Sequence, residues 1–256
     1  MLYALRRHPF PVVAHFEHCL VLTYAFPAAM LRPLLPPGLE LDTFGPGGEL
    51  GFVAVALVQT RGLRPRGMPQ VFGQDFFLSG YRIFTKFRAP QGRRLRGLRI
   101  LRSDTDRRRM AFSGNLLTHY NYRFAKVDFR AEAAQLHVRI RTPNEEADLD
   151  VSADLNEDAA RLPPDSCFAT EREARRFAGP LPYTFDYEPQ TNSIIAIHGR
   201  RREWHPRLTT VAVRCITFFN RPPFAATEPR LVSAFHVADV PYRWDRGVRY
   251  ALRSSP

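Results

Sequence analysis

The chain has 256 residues, of which 45% are hydrophobic and 24% charged, a balance that excludes wholesale disorder and supplies a core without disulfides or metals. Its formal net charge of +12 raises the possibility of a nucleic-acid partner, yet all but two of the 37 basic residues, Lys86 and Lys126, are arginine. These arginines are scattered among acidic stretches such as "NEEADLD" with no stacking aromatic motif around them, so solvated faces are expected and specific nucleic-acid binding is disfavoured.

In chain order, "MLYALRRHPFPVVAHFEHCLVL" is broken by His8, Pro9, Pro11, His15, Glu17 and His18, which predicts neither a signal peptide nor a membrane span. "LVLTYAF" then reads as a strand, and "FPAAMLRPLLPPGL" as a short helix stopped by Pro33 and Pro36-Pro37. The run Phe52 to Val58 inside "ELGFVAVALVQT" is continuous and Val-rich, the pattern of a strand buried on both faces. "YRIFTKF" and "LRGLRIL" are further strands. Ser103 and Asp106 stand at capping-box spacing and predict a helix over 104–117. "QLHVRIR" alternates Leu136, Val138 and Ile140 against His137, Arg139 and Arg141, a half-exposed strand. In "DSCFATEREARRFAGP" a helix is expected with Asp165 or Ser166 as cap, Phe168 and Phe177 as anchors and Gly179-Pro180 as stop. "SIIAIHG", "LTTVAVRCITFF" and "RLVSAFHVADV" complete about eight strands, while the Pro-rich stretches 161–164 and 179–189 read as loops. No repeat or linker divides the chain, so residues 1–256 are expected to form a single, mainly β (α+β) domain of two antiparallel sheets curling into a barrel, with a few short helices. The three dispersed cysteines suit buried apolar positions and a cytoplasmic setting.

Few chemical motifs are present. Asp104 and Asp106 have a DxD spacing, but capping accounts for them, and His15, His18, His198, His205 and His236 lack a ligand spacing, so no metal is expected. No P-loop, GxGxxG, GxSxG or HExxH occurs, and no cofactor is expected. The polar and aromatic stretch "GNLLTHYNYRFAKVDF" is the exception. A strand from Tyr120 would set Tyr120, Tyr122, Phe124 and Lys126 on one face, where a dry cavity would depress the lysine pKa and expose an amine able to form an imine with a ketone. At a sheet edge the same lysine would simply reach into water.

"LTYAFPAAMLRPLLPPGLELDTF", "GFVAVALVQTRGLRPRGMP", "FFLSGYRIF", "RGLRILRSDTDRRRM", "GNLLTHYNYR" and "FATEREARRF" resemble, in that order, the segments of a bacterial domain of unknown function in the acetoacetate-decarboxylase-like superfamily. The resemblance spans about residues 10–245 and implies a cone-shaped β-barrel whose closed end holds a small-molecule pocket, often in a homo-oligomer. Such decarboxylases use an imine-forming lysine, a second lysine beside it, and pocket glutamate and arginine residues. The paired lysines align near Asn121-Tyr122, the glutamate near Leu78 or Ser79, and the arginine at Arg82, with Lys126 four residues beyond the pair. The expected function is therefore binding or turnover of a small anionic or carbonyl compound, with a pocket built from the 99–126 region and "FFLSGYR". His119, Tyr122 and Lys126 are the catalytic candidates, and Arg82, Asn115, Thr118, Tyr120 and Asn121 the ligand-binding ones. A Schiff-base lyase using Lys126 and a basic nucleic-acid-binding protein are the alternatives.

Overall fold

The computed structural model describes residues 2–156, 160–179, 181–202 and 204–252. From the amino terminus, β1 (Val12–Pro27) leads through α1 (Ala28–Leu31) to β2 (Leu39–Leu41), β3 (Leu50–Pro65), β4 (Gln74–Arg88) and β5 (Arg94–Thr105). Helix α2 (Arg108–Leu117) precedes β6 (Tyr122–Phe124), β7 (Lys126–Glu132), β8 (Gln135–Arg141) and β9 (Leu149–Asp154). Helix α3 (Glu171–Ala178) is followed by β10 (Tyr183–Glu188), β11 (Ser193–Arg201), β12 (Arg207–Leu208), β13 (Thr210–Ile216), β14 (Arg230–Trp244) and β15 (Val248–Ala251).

One sheet makes the barrel by itself. Its strands run β14-β1-β3-β4-β5-β10-β11, and β11 pairs back to β14 through Gly199↔Trp244, Arg200↔Arg243 and Arg201↔Tyr242. The second sheet, ordered β13-β9-β8-β7, packs against the outside of this ring. Two pairings in the ring are parallel, β5 with β10 and β5 with β6, which departs from the all-antiparallel expectation. Strands β7, β8 and β9 of the second sheet, together with α2, β6 and α3, lie between β5 and β10 in sequence, a crossover long enough to bring the two strands together in parallel. Gly97 permits that contact: a Cβ there would stand 2.5 Å from the Tyr183 carbonyl oxygen.

Strand alternation divides the apolar side chains between two spaces. On β3, Val53, Val55 and Leu57 meet Leu136, Val138 and Ile140 of the second sheet, while Ala54, Ala56 and Val58 face the barrel interior. On β4, Phe77, Tyr81 and Ile83 join the first group, while Leu78, Arg82 and Phe84 line the interior. This double coverage is why the central run of β3 is apolar without interruption. Helix α3, through Ala174 and Ala178, and Phe168 just before it close the interior on one side, and α2 does so on another.

Several local expectations need correction. Ser103, Asp104 and Thr105 belong to β5, and α2 begins only at Arg108. Asp106 accepts a hydrogen bond from the Phe77 amide at 2.8 Å, so its carboxylate ties β4 to the turn before the helix. Helix α3 is capped by Thr170, which accepts from the Glu173 amide, while the Glu173 carboxylate accepts from the Ala169 amide. The cap thus lies four residues beyond the expected Ser166; Pro180, expected to stop the helix, lies outside the described residues. The stretch at 179–189, read as loop, contains β10. In "NEEADLD", Asp148 and Asp150 are buried rather than solvated, anchored by Arg141 and Thr142 and by His137, Arg139 and Arg214 respectively.

Between β5 and β7 the chain passes from the barrel to the second sheet. Tyr122 faces inward at β6, Ala125 turns into the core, and Lys126 starts β7, exposed and opposite Arg141. The expected common face for Tyr120, Tyr122, Phe124 and Lys126 is broken by this change of sheet. Gly114 of α2 receives the Tyr122 ring, which lies 2.4 Å from where a Cβ would stand. Gly114→Ala is expected to destabilise the fold by about 1–3 kcal/mol through overpacking, despite alanine's better helix propensity, as read from urea denaturation midpoints. An unchanged or raised midpoint would mean that Tyr122 is free to move.

Candidate functional site

A cavity of about 110 Å³ lies inside the barrel. Its walls are mostly apolar and aromatic: Ala54, Ala56 and Val58 of β3, Phe84 of β4, Ile100 of β5 and Val237 of β14 contribute, together with Tyr120, Tyr122, Trp204, Tyr242 and Trp244. The polar contribution comes from Arg82, Ser103, Thr184 and Arg201. Arg82 stands at the centre of this set. Its side chain folds back over Gly80, where a Cβ would come within 2.9 Å of Nε, so glycine is what lets the guanidinium lie along the strand. Its charge acts on Cys19, Tyr120, Tyr122 and Tyr242.

Two donor-only atoms at the cavity, Arg82 Nε and Trp204 Nε1, are buried without a hydrogen-bond partner among the described residues. A buried donor left unsatisfied costs about 1–3 kcal/mol, more when charged, so the pocket is built to receive an acceptor. Burial also pushes the hydroxyls of Tyr120, Tyr122 and Tyr242 above the ordinary phenol range, so all three remain protonated at neutral pH. Burial pushes the Cys19 thiol up to about 12 and leaves it unreactive.

The sequence candidates separate into three groups. Arg82, Tyr120 and Tyr122 meet at the cavity. Asn115 and Thr118 instead shape its wall. Asn115 Nδ2 donates to the Tyr122 carbonyl at 2.8 Å and Asn115 Oδ1 accepts from the Tyr122 amide at 2.7 Å, a two-point clasp from α2 to β6. Thr118 donates to the Gly114 carbonyl and accepts from the Tyr120 amide, closing the helix end. Asn121 is exposed in the left-handed conformation (φ 53°), which asparagine tolerates and which lets both flanking tyrosines point inward. Lys126 is exposed on the second sheet, and the other lysine, Lys86, pairs with Asp42 at 2.6 Å. Neither lines the cavity.

His119 sits behind the Tyr120 wall, in a polar layer that also holds two acid–base pairs. Arg99 donates to Asp186 at 2.5 Å, and Arg7 pairs with Glu188 at 2.6 Å. Burial, with Arg6 adding to it, lowers the His119 pKa to about 4, so the ring is neutral at pH 7, and its Nε2 is buried without a hydrogen-bond partner among the described residues. Burial raises the Asp186 carboxyl to about 6, against the opposing pull of Arg99 and Arg6. Glu188 lies below the ordinary carboxylate range, because the bonds from Arg7 and Thr191 outweigh its burial.

Thr184, Asp186, Arg201, Trp204 and Tyr242 escaped sequence reasoning. The usable signal lay in "YTFDYE" (Tyr183–Glu188), where aromatic Tyr183, Phe185 and Tyr187 alternate with Thr184, Asp186 and Glu188. This is a strand whose polar face points inward.

Comparison with known proteins places this geometry in context. The profile of DUF2071, described as an uncharacterized conserved protein, matches residues 13–238. A search of curated proteins finds no match. Among solved structures, the chain is similar to the enduracididine biosynthesis enzyme MppR complexed with pyruvate (12% identity, 94% of this chain and 90% of that chain, TM-score 0.62). It is also similar to acetoacetate decarboxylase from Legionella pneumophila subsp. pneumophila str. Philadelphia 1 (13% identity, 95% and 88%, TM-score 0.61). A third is an acetoacetate decarboxylase-like enzyme from Sphingomonas wittichii RW1 (12% identity, 96% and 94%, TM-score 0.59). The shared feature at these identities is the fold, which is acetoacetate-decarboxylase-like.

The buried Asp186 gives the polar layer a measurable signature. Carboxyl NMR with an Asp186→Asn assignment control is expected to show this group titrating near pH 6. Because the folded-state pKa is raised, its contribution to stability is greatest below the ordinary aspartate pKa and declines as pH rises toward 6. A midpoint in the ordinary carboxylate range would show the Arg99 pair to be solvated.

Proposed function

We propose that this chain, which belongs to the DUF2071 family, uses its barrel cavity to bind a small carboxylate-bearing carbonyl compound, and that it does so without forming an imine. The carrying observation is Arg82, whose buried Nε has no hydrogen-bond partner among the described residues and faces a wall of aromatic and aliphatic side chains. A carboxylate would satisfy that donor in a low-dielectric setting, where a charge-assisted bond is strong. The protonated Tyr120 and Tyr122 beside it supply hydroxyl donors for a carbonyl oxygen. MppR, whose fold this chain resembles, is seen with pyruvate, a compound of the same class.

Imine chemistry requires a lysine at the cavity. With Lys86 held by Asp42 and Lys126 exposed on the outer sheet, a bound ketone meets no lysine amine. Proton transfer remains open to this site through its tyrosines, with Asp186 felt electrostatically from behind Tyr120.

Pyruvate is expected to raise the thermal midpoint in a concentration-dependent way, as any ligand of the native state does. Arg82→Met should weaken pyruvate binding by at least about thirtyfold, the effect of removing one partner of a buried charged contact, while Lys126→Ala leaves it unchanged. Borohydride treatment with pyruvate should leave the protein mass unaltered. Unchanged affinity in the Arg82 variant, or a trapped adduct on either lysine, would overturn this reading.

A further inference from the structure

Beyond Tyr120 and Tyr122, which line both spaces, lies a second pocket of about 100 Å³. Strand alternation builds it. On β3, Thr60 follows Ala54, Ala56 and Val58 on the interior face, and on β4, Phe76 precedes Leu78, so the pocket continues the barrel interior toward α2. Met110 and Leu117 of α2 cover it, and Phe10, Leu63 and Trp244 complete an aromatic and aliphatic wall. Among the described residues that line it, none carries a formal charge at pH 7, since burial lowers the His8 pKa to about 4. A charged ligand would lose its hydration there and gain no ion partner.

Two polar atoms interrupt this lining. Thr60 Oγ1 and His8 Nδ1 are buried without a hydrogen-bond partner among the described residues, and the two residues are 1% and 7% exposed. Other polar side chains of the lining are spent locally: Ser113 donates to the Met110 carbonyl at 3.5 Å and Thr118 to the Gly114 carbonyl at 2.7 Å. Valine would fill the Thr60 position with nearly the same shape and no polar atom to bury, so packing gives no reason for the hydroxyl. His8 is also held in the left-handed conformation (φ 56°). Its amide donates to the Leu117 carbonyl at 2.9 Å, and its carbonyl accepts from the Gly247 amide at 3.0 Å. Backbone strain fixed from two sides, one of them the helix that covers the pocket, is characteristic of ligand-contacting positions.

We propose that this pocket is a second ligand site, distinct from the carboxylate-binding cavity, for a neutral single-ring compound bearing a hydroxyl, of the phenol class. A hydroxyl both donates and accepts, so it can serve a neutral histidine nitrogen and a threonine oxygen alike. The ring would meet Phe10, Phe76 and Trp244, with the Met110 thioether as a further favourable contact. An apolar space on this scale takes up one ring. Carboxylates are left to the cavity, where Arg82 stands.

Methionine-methyl NMR on the full chain, with phenol itself as the probe, tests the assignment. The sequence holds four methionines, and Met110 lines the pocket, so its methyl signal, identified through Met110→Leu, is expected to shift as phenol is added. Thr60→Val and His8→Asn, the latter tolerant of a positive φ, should each weaken phenol by about fivefold or more while leaving benzene unaffected. Thr60→Val should also raise the thermal midpoint of the free chain by about 2–4 °C, because it removes an unpaired buried hydroxyl. Pyruvate affinity should be unchanged in both variants, and phenol affinity unchanged in Arg82→Met. A Met110 signal indifferent to phenol overturns the site. Equal loss of phenol and benzene in the variants, or no loss of either, overturns the hydroxyl contact, as does a lowered midpoint in Thr60→Val. Competition between phenol and pyruvate for Arg82 would place the ring in the cavity and overturn the second site. Absence of pyruvate binding would overturn the cavity reading and leave this site standing.

Discussion

Three cross-strand pairs hold the functional architecture together. Gly199↔Trp244, Arg200↔Arg243 and Arg201↔Tyr242 turn an open sheet into a ring, and three of these residues, Arg201, Tyr242 and Trp244, then line the cavity. A closed sheet removes its own edges and encloses a dry interior. Within that interior a guanidinium whose Nε has no partner among the described residues becomes a strong and selective feature, because the local dielectric is low. The same closure brings Trp204, Tyr242 and Trp244 to one wall, although the strands that carry or flank them are widely separated in the sequence from Arg82.

Closure also explains how rigidity is divided. The face of β3 and β4 turned toward the second sheet carries large side chains in close contact, including Tyr81 stacked on Phe218 at 3.9 Å. On the interior face, Ala54, Ala56 and Gly80 leave room. Packing strength is therefore placed outside the ring and space inside it, an arrangement in which a binding site does not weaken the main core. Arg82 is stable in this position because a neighbouring glycine gives it a path along the strand and a ring of phenols provides a polarisable lining.

Much of this was legible in the sequence. The uninterrupted apolar run of β3, the alternation of β8 and the turn residues around them sufficed for a mainly β domain, and the family resemblance supplied the barrel. Tyr120 and Tyr122 were reachable because they lie in one polar, aromatic stretch, and Arg82 through the family resemblance of "FFLSGYRIF". The rest depended on long-range pairing. Lys126 looked like a neighbour of Tyr122 because alternation was extended through Ala125, where the chain in fact changes sheets. Asp148 and Asp150 looked solvated because their partners Arg141, Arg139 and Arg214 come from adjacent strands. Strand β10 was hidden by the flanking Pro182 and Pro189 and by an inverted pattern, with polar residues on the enclosed face. Local propensity contains no information on which face a barrel will enclose.

The clasp of Asn115 on Tyr122 separates the cavity from the apolar space beside it, which also borders Leu78, Tyr120, Tyr122 and Trp244. The Tyr120 and Tyr122 rings in this partition are carried by the short segment at and before β6 and are held from α2 by the clasp. A smaller side chain at position 120 or 122 would thin the partition, leaving Leu78 of β4 and Trp244 of β14 as its remaining shared border. The length of the enclosed space is thus set at two side chains while the scaffold around them stays constant.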